Sequence, residues 1–336
     1  MNYLIWGVIA LVLSVLFGIF VIPMLRRLKF GQEIREEGPA WHASKSGTPT
    51  MGGIIFILSI IVTLVAMFVW TASDGISMGN TVDLVLVILL SLAFGAIGFI
   101  DDYIKVVKKR NLGLTAAQKF SLQFVAALIF ATVVAIGGST GTVIDLPFTS
   151  VDFDLSWFYI PFVIFVMLAT VNSVNLTDGL DGLATSITIV ISIFYMLIST
   201  SMGNHAMSLL AAVLCGSLVG FLLFNWKPAK VFMGDTGSLF LGGAVCGLAI
   251  MLKQPITLLI VGFVYVMETL SVIMQVTSYK LTGKRIFKMS PIHHHFEMCG
   301  WSEVTIVCVF SAVTVLLCAP VSYTHLRAHE TTLHLV

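Results

Sequence analysis

Two adjacent aspartates stand at the end of an apolar stretch, in the run Phe99-Ile100-Asp101-Asp102-Tyr103-Ile104-Lys105. Carboxylates so close together repel each other, so something positive is expected between or beside them. A hard divalent cation is the natural candidate, because Mg²⁺ is commonly held by one or two carboxylates plus substrate phosphates. A helix end capped by solvated charges is the plainer alternative, and the pair alone does not choose between them.

Four further clusters are denser in polar groups than ordinary turns require. Asn172-Ser173-Val174-Asn175-Leu176-Thr177-Asp178-Gly179-Leu180-Asp181-Gly182 follows another apolar stretch directly. Its glycines let the backbone approach a ligand, and its amides and carboxylates can read a base, a sugar or a hydrated metal. Between Phe224 and Ser238, Asp235 leads into a further apolar stretch and can point at a ligand near the interface, while Phe232 offers a face to a planar base. Pro291-Ile292-His293-His294-His295-Phe296-Glu297 holds three consecutive histidines. These cannot share one helix face, and zinc usually draws on spaced ligands, so imidazole donors to phosphate oxygens suit them better. Lys45-Ser46-Gly47-Thr48-Pro49-Thr50-Met51-Gly52-Gly53 adds a basic, glycine-rich entry to the next stretch. Acids able to hold a metal, mixed with bases able to hold phosphate, are what phosphoryl transfer at a membrane surface requires.

The elements that must position these groups are apolar helices. Of the 336 residues, 58% are hydrophobic and only 10% charged, with a mean hydropathy of +1.01. A soluble globule carries about a quarter charged residues, so this chain cannot build a water-soluble surface. The net charge of +1 gives no bulk attraction to nucleic acid. Five cysteines show no C-x-x-C pair or metal spacing and read as small buried hydrophobes.

A bilayer core of about 30 Å takes about 20 apolar residues as a helix. Suitable windows fall at 3–25, 51–70, 82–100, 120–138, 156–174, 184–202, 206–224, 236–252, 255–278 and 302–319. The fold class is therefore all-α: a polytopic integral membrane protein of about ten transmembrane helices, with 1–320 as a single helical domain. Residues 26–45 hold five Lys and Arg, 105–119 five, 227–230 two and 280–288 four, which is 16 of the 18. All lie in alternate gaps; Lys253 and Arg327 are the exceptions. By the positive-inside rule those gaps, and the active site they carry, are cytoplasmic, with both termini outside. Glu268 falls midway along the ninth window, where an unpaired charge costs about 2.5–3.5 kcal/mol on insertion scales. It is expected to face the bundle interior, either as a polar helix contact or as a functional group.

Asp101-Asp102, Asn172 to Gly182, Phe232 to Ser238 and above all Pro291 to Glu297 resemble the polyprenyl-phosphate hexosamine-1-phosphate transferases. The resemblance runs in order and spacing over residues 1–319. The Asp-Asp and Asn-x-x-Asn motifs indicate the superfamily, while His293 to Glu297 and Ser46 to Gly53 point to its muramoyl-pentapeptide branch. It implies that UDP-MurNAc-pentapeptide and undecaprenyl phosphate react to give lipid I and UMP, with Mg²⁺ as cofactor. That is the first membrane step of peptidoglycan synthesis, at the bacterial plasma membrane. By the same resemblance Asp235 binds the metal, and Asp101 and Asp102 lie near the attacking phosphate. Lys45, Lys105, Asn172, Asn175, Asp178, Gly179, Leu180, Asp181, Asn225, Phe232, His293, His294 and His295 would form the substrate pocket. A homodimer is compatible with it.

After Pro320 the tail Val321–Val336 turns polar, which departs from the family pattern, and no function is placed on it. Two other readings compete. A transporter or flippase would gather its polar groups near the midplane, whereas here they gather at one face. A GlcNAc-1-phosphate transferase shares the superfamily motifs, and the triple histidine speaks against it.

Overall fold

The computed structural model describes residues 2–28, 47–73, 81–107, 113–137, 140–149 and 151–333. Its helices are α1 (Tyr3–Arg27), α2 (Gly53–Ser73), α3 (Thr81–Val107), α4 (Ala116–Gly137), α5 (Tyr159–Thr177) and α6 (Leu183–Ser201). They continue as α7 (His205–Asn225), α8 (Gly234–Met251), α9 (Thr257–Val261), α10 (Phe263–Thr282), α11 (Ile292–Met298) and α12 (Glu303–Leu333). Between α4 and α5 lies a hairpin of β1 (Val143–Asp145) and β2 (Asp152–Asp154).

Among the described residues, nine helices are long and apolar enough to cross a membrane, which makes the fold an all-α polytopic bundle. The expected span 255–278 is the one that differs. It is divided at Gly262 into the short α9 and the longer α10. Glu268, Gln275 and Lys280 interrupt the apolar run of α10, which is not among the nine. Leu4, Val8, Phe20, Ile129 and Ile136 are exposed on the outer faces of α1 and α4, as lipid contact requires. Cys308 is exposed on α12 in the same way, so it is not one of the buried hydrophobes that the sequence suggested. Within the bundle, some hydroxyls are satisfied by their own helices: Thr63 donates to the Ser59 carbonyl at 2.7 Å and Thr188 to that of Ala184 at 2.6 Å.

The bundle is built around α8, in which every residue from Thr236 to Met251 is buried. Its small residues let neighbouring helices approach almost to backbone contact. A Cβ on Gly242 would stand 2.6 Å from Val171 Cα of α5, and one on Gly247 would stand 2.6 Å from a Val87 methyl of α3. α3 makes the closest approach. A Cβ on its Gly98 would lie 2.1 Å from the carbonyl oxygen of Asp235.

In the hairpin between α4 and α5, Asp145 is paired opposite Asp152. Gln254 donates to the Asp145 carboxylate at 3.0 Å, tying the hairpin to the turn after α8. Burial, helped by the facing Asp152, raises the Asp145 carboxyl to about 6. Hairpin and Lys253 therefore share the end of the bundle at which α8 finishes, opposite the end at which it starts.

Gly98→Ala is expected to push α3 off α8. The thermal midpoint in detergent should fall by the equivalent of about 1–3 kcal/mol, as for other overpacked cores. Gly137→Ala, with nothing within 4 Å of its added methyl, should leave the midpoint unchanged.

Candidate active site

The last two turns of α3 carry Asp101, Asp102 and Lys105. Positions four apart share a helix face, and Lys105 Nζ lies 2.5 Å from Asp101 Oδ2. Asp102, one residue further round, turns to the start of α8. Its Oδ2 accepts the Thr236 N–H at 2.9 Å and the Thr236 hydroxyl at 2.7 Å, and its Oδ1 accepts the Asp235 N–H at 3.2 Å. The first N–H groups of a helix lack partners within it, and the N-terminus carries partial positive charge. Met233, at the cap position of α8, supplies no side-chain bond, so a carboxylate from α3 performs that task.

Asp235, in the first turn of α8, is thereby held at the bundle end. Its Oδ1 accepts from Asn175 Nδ2 of α5 at 2.8 Å. Its Oδ2 accepts from Lys105 and Lys119, each at 2.9 Å. Lys119 belongs to α4, whose start is set by a reciprocal cap: the Gln118 N–H donates to the Thr115 hydroxyl, and the Thr115 N–H to Gln118 Oε1. Asp101 Oδ1 accepts the Leu114 N–H at 2.7 Å, fixing the segment that leads into this cap. The positive groups expected beside Asp101-Asp102 are thus two ammoniums and a helix N-terminus.

One oxygen from each of Asp101, Asp102 and Asp235 lies within 4.8 Å of the others, a grouping that could hold a metal ion. Hard carboxylate oxygens suit Mg²⁺. Asp235 is the best placed of the three. Its side chain keeps 16% exposure and its Oδ2 is bound by lysine side chains, whereas Asp102 is tied to backbone N–H groups.

The remaining expected residues divide into those near this cluster and those that brace it. Lys45 lies outside the described residues. Asn172 exchanges amide bonds with Gln123, donating at 2.8 Å, and also donates to the Leu168 carbonyl at 2.8 Å. The Asp178–Gly182 turn follows α5, with Asp178 and Gly179 half-buried and Leu180 buried. Asp181 accepts the Ala229 N–H at 3.1 Å, joining that turn to the loop before α8. Asn225 is buried; it accepts from Thr185 at 2.7 Å and donates to the Val231 carbonyl at 3.1 Å. Phe232 is half-buried, and its backbone pairs with the glycine-rich entry: its N–H donates to the Pro49 carbonyl, and its carbonyl accepts from Gly52. The three histidines on α11 point to separate partners. His293 meets Glu268 at 2.9 Å, His294 meets Glu297 at 2.6 Å, and His295 Nδ1 accepts the Lys288 N–H at 3.1 Å.

Sequence reasoning missed Lys119, which had counted only as a topological charge. A lysine in the first turn of a helix opposes the helix dipole, and that mismatch is the signal that it serves something else.

Bundle and cluster together define a class, a polytopic membrane protein with an acid-and-lysine cluster at one end of its helices. A family model described as glycosyl transferase family 4 matches residues 84–253. A signature of phospho-N-acetylmuramoyl-pentapeptide-transferase matches residues 45–57. Among curated relatives, the phospho-N-acetylmuramoyl-pentapeptide-transferase of Clostridium botulinum (strain Alaska E43 / Type E3) is 50% identical over 91% of this chain and 91% of its own length. Those of Clostridium kluyveri (50%, covering 95% and 98%) and Clostridium perfringens strain 13 (49%, covering 93% and 95%) are equally similar. The chain belongs to the phospho-N-acetylmuramoyl-pentapeptide-transferase family. With its apolar spans, it is a multi-pass protein of the bacterial inner membrane.

Asp102→Ala should orphan the α8 N-terminus and lower thermal stability in detergent by roughly 2 kcal/mol, the scale of lost charge-assisted hydrogen bonds. Asp102→Asn, which keeps one acceptor oxygen, should recover part of that loss. Equal midpoints for the two variants would contradict the capping role.

Proposed function

We propose that the chain transfers phospho-MurNAc-pentapeptide from UDP-MurNAc-pentapeptide to undecaprenyl phosphate, giving lipid I and UMP. The observation that carries this reading is the meeting of Asp101, Asp102 and Asp235 with Lys105 and Lys119 at one end of a membrane bundle. Oxygen ligands for a hard cation and ammoniums for phosphate are what two anionic substrates need in order to react. The relatives' name supports the choice of sugar. The basic gaps support a cytoplasmic position for this end of the bundle, with the N-terminus outside.

Asp235 would hold Mg²⁺ with Asp101 beside it, and the ion would neutralise charge on the donor diphosphate. Lys105 and Lys119 are placed to take phosphate oxygens, while Asp102 keeps the start of α8 in position. A phosphate monoester has a second pKa of about 6, so the acceptor is mostly a dianion at neutral pH. Alignment and charge neutralisation then matter more than a strong base. An oxygen of the lipid phosphate forms a bond to the sugar-linked phosphorus as the bond to the UMP oxygen breaks, and UMP leaves with that electron pair. Asp101 orients the acceptor, or takes the proton from its monoanion. The donor lies against the Asp178–Gly182 turn, with Asn175, Phe232 and the α11 histidines around it, and by the family resemblance Lys45 would join them. Asn172, Asp181 and Asn225 brace that pocket through the bonds described above.

Purified chain in detergent with Mg²⁺ and undecaprenyl phosphate should release UMP from UDP-MurNAc-pentapeptide and far less from UDP-GlcNAc. Equal rates would overturn the choice of donor, and a single-turnover burst of UMP without the acceptor lipid would overturn direct attack. Asp235→Asn should lose Mg²⁺-dependent turnover while still inserting and folding; near-normal turnover at low Mg²⁺ would refute the metal assignment.

A further inference from the structure

Glu268 is fully buried on α10, and the chemistry above makes no use of it. Its Oε2 lies 2.9 Å from Nδ1 of His293, which is itself buried on α11. The far side of that ring faces the donor turn, because a Cβ on Gly179 would stand 2.2 Å from His293 Nε2. Next to Glu268, the Thr269 hydroxyl meets Ser173 of α5 at 2.6 Å, so α10 is bonded to the helix that ends in this turn. Two atoms of the pair, Glu268 Oε1 and His293 Nε2, are shut away from solvent without a hydrogen-bond partner among the described residues. Buried polar atoms are nearly always bonded, so two neighbouring exceptions require a reason. A carboxylate on one ring nitrogen fixes the tautomer and the tilt of an imidazole, and so the surface that the ring presents to the turn packed on it.

We propose that Glu268 is a positioning residue for the donor: it holds Nδ1 of His293 so that the ring stays packed on Gly179 and fixes the Asp178–Gly182 turn against which the phosphorylated donor is seated. This rests on the transfer reaction proposed above. It also gives the bare Gly179 a purpose, since any side chain there would displace the ring from the turn. A contact that merely joined α10 to α11 would leave the two substrates equally affected by its loss.

The test uses the full chain in detergent with Mg²⁺, undecaprenyl phosphate and UDP-MurNAc-pentapeptide. Glu268→Ala and His293→Ala are each expected to lower kcat/KM for the donor by about tenfold or more, the usual scale for a partner that orients a histidine at a binding site. The acceptor KM should stay within about twofold, and the double variant should lose no more than the worse single one, because the pair acts as a unit. Glu268→Gln keeps an oxygen that can accept from Nδ1–H and should recover most of the donor kcat/KM. Should Glu268→Ala not accumulate in membranes, Gly179→Ala reads the same contact by crowding Nε2, and it should raise the donor KM. Additive losses, an unchanged donor kcat/KM, or equal losses for donor and acceptor with a lowered thermal midpoint would each overturn the proposal. An unaltered chain that fails to use this donor would overturn the functional reading instead.

Discussion

The carboxylate of Asp102 on the N-terminal N–H groups of α8 is the contact on which the site depends. It answers two electrostatic problems together. Asp101 and Asp102 are neighbours that repel, and the start of α8 is a buried helix end whose donors have no partner of their own. Joining the two places Asp235 beside the α3 carboxylates. Lys105 and Lys119 then close on Asp235 from α3 and α4, and Asn175 does so from α5. Four helices thus converge on one aspartate whose position is set by its neighbour's backbone.

The large features were legible in the sequence because membranes impose simple rules. Twenty apolar residues make a span, and basic residues collect at one end, so the helices and their common polar end followed from hydropathy and charge. The break at Gly262 was not legible, because Pro255 to Ser278 is apolar enough to be read as one window. The division of labour inside the site was hidden for a different reason. Asn172, Asp181 and Asn225 have the chemistry of ligand groups, but whether an amide faces a ligand or a loop is decided by packing across residues far apart in sequence. Glu268 was recognisable as a buried acid, and only the folded chain reveals His293 as its partner.

The loops are positioned by backbone as much as by side chains. The entry 49–53 pairs with 232–233 through Phe232, Gly52 and Gly53 N–H bonds. That pairing needs the bare Cα of Gly53, since a Cβ would stand 2.3 Å from Gly237 Cα. The basic, glycine-rich entry to α2 therefore serves as a seam between α2 and α8, and close backbone approach is what its glycines supply.

The distance along the chain between Asp102 and its partners bears on how the protein is made. Thr236 follows Asp102 by 134 residues, and chains are synthesised from the N-terminus. While α4 to α7 are being inserted, the two α3 acids have no α8 to receive them, and Lys105 one turn away is their near counter-charge. This end of the bundle is thus completed late in biogenesis. The arrival of α8 in the centre of an already inserted group of helices is the event that joins the acids, the lysines and the core into one unit.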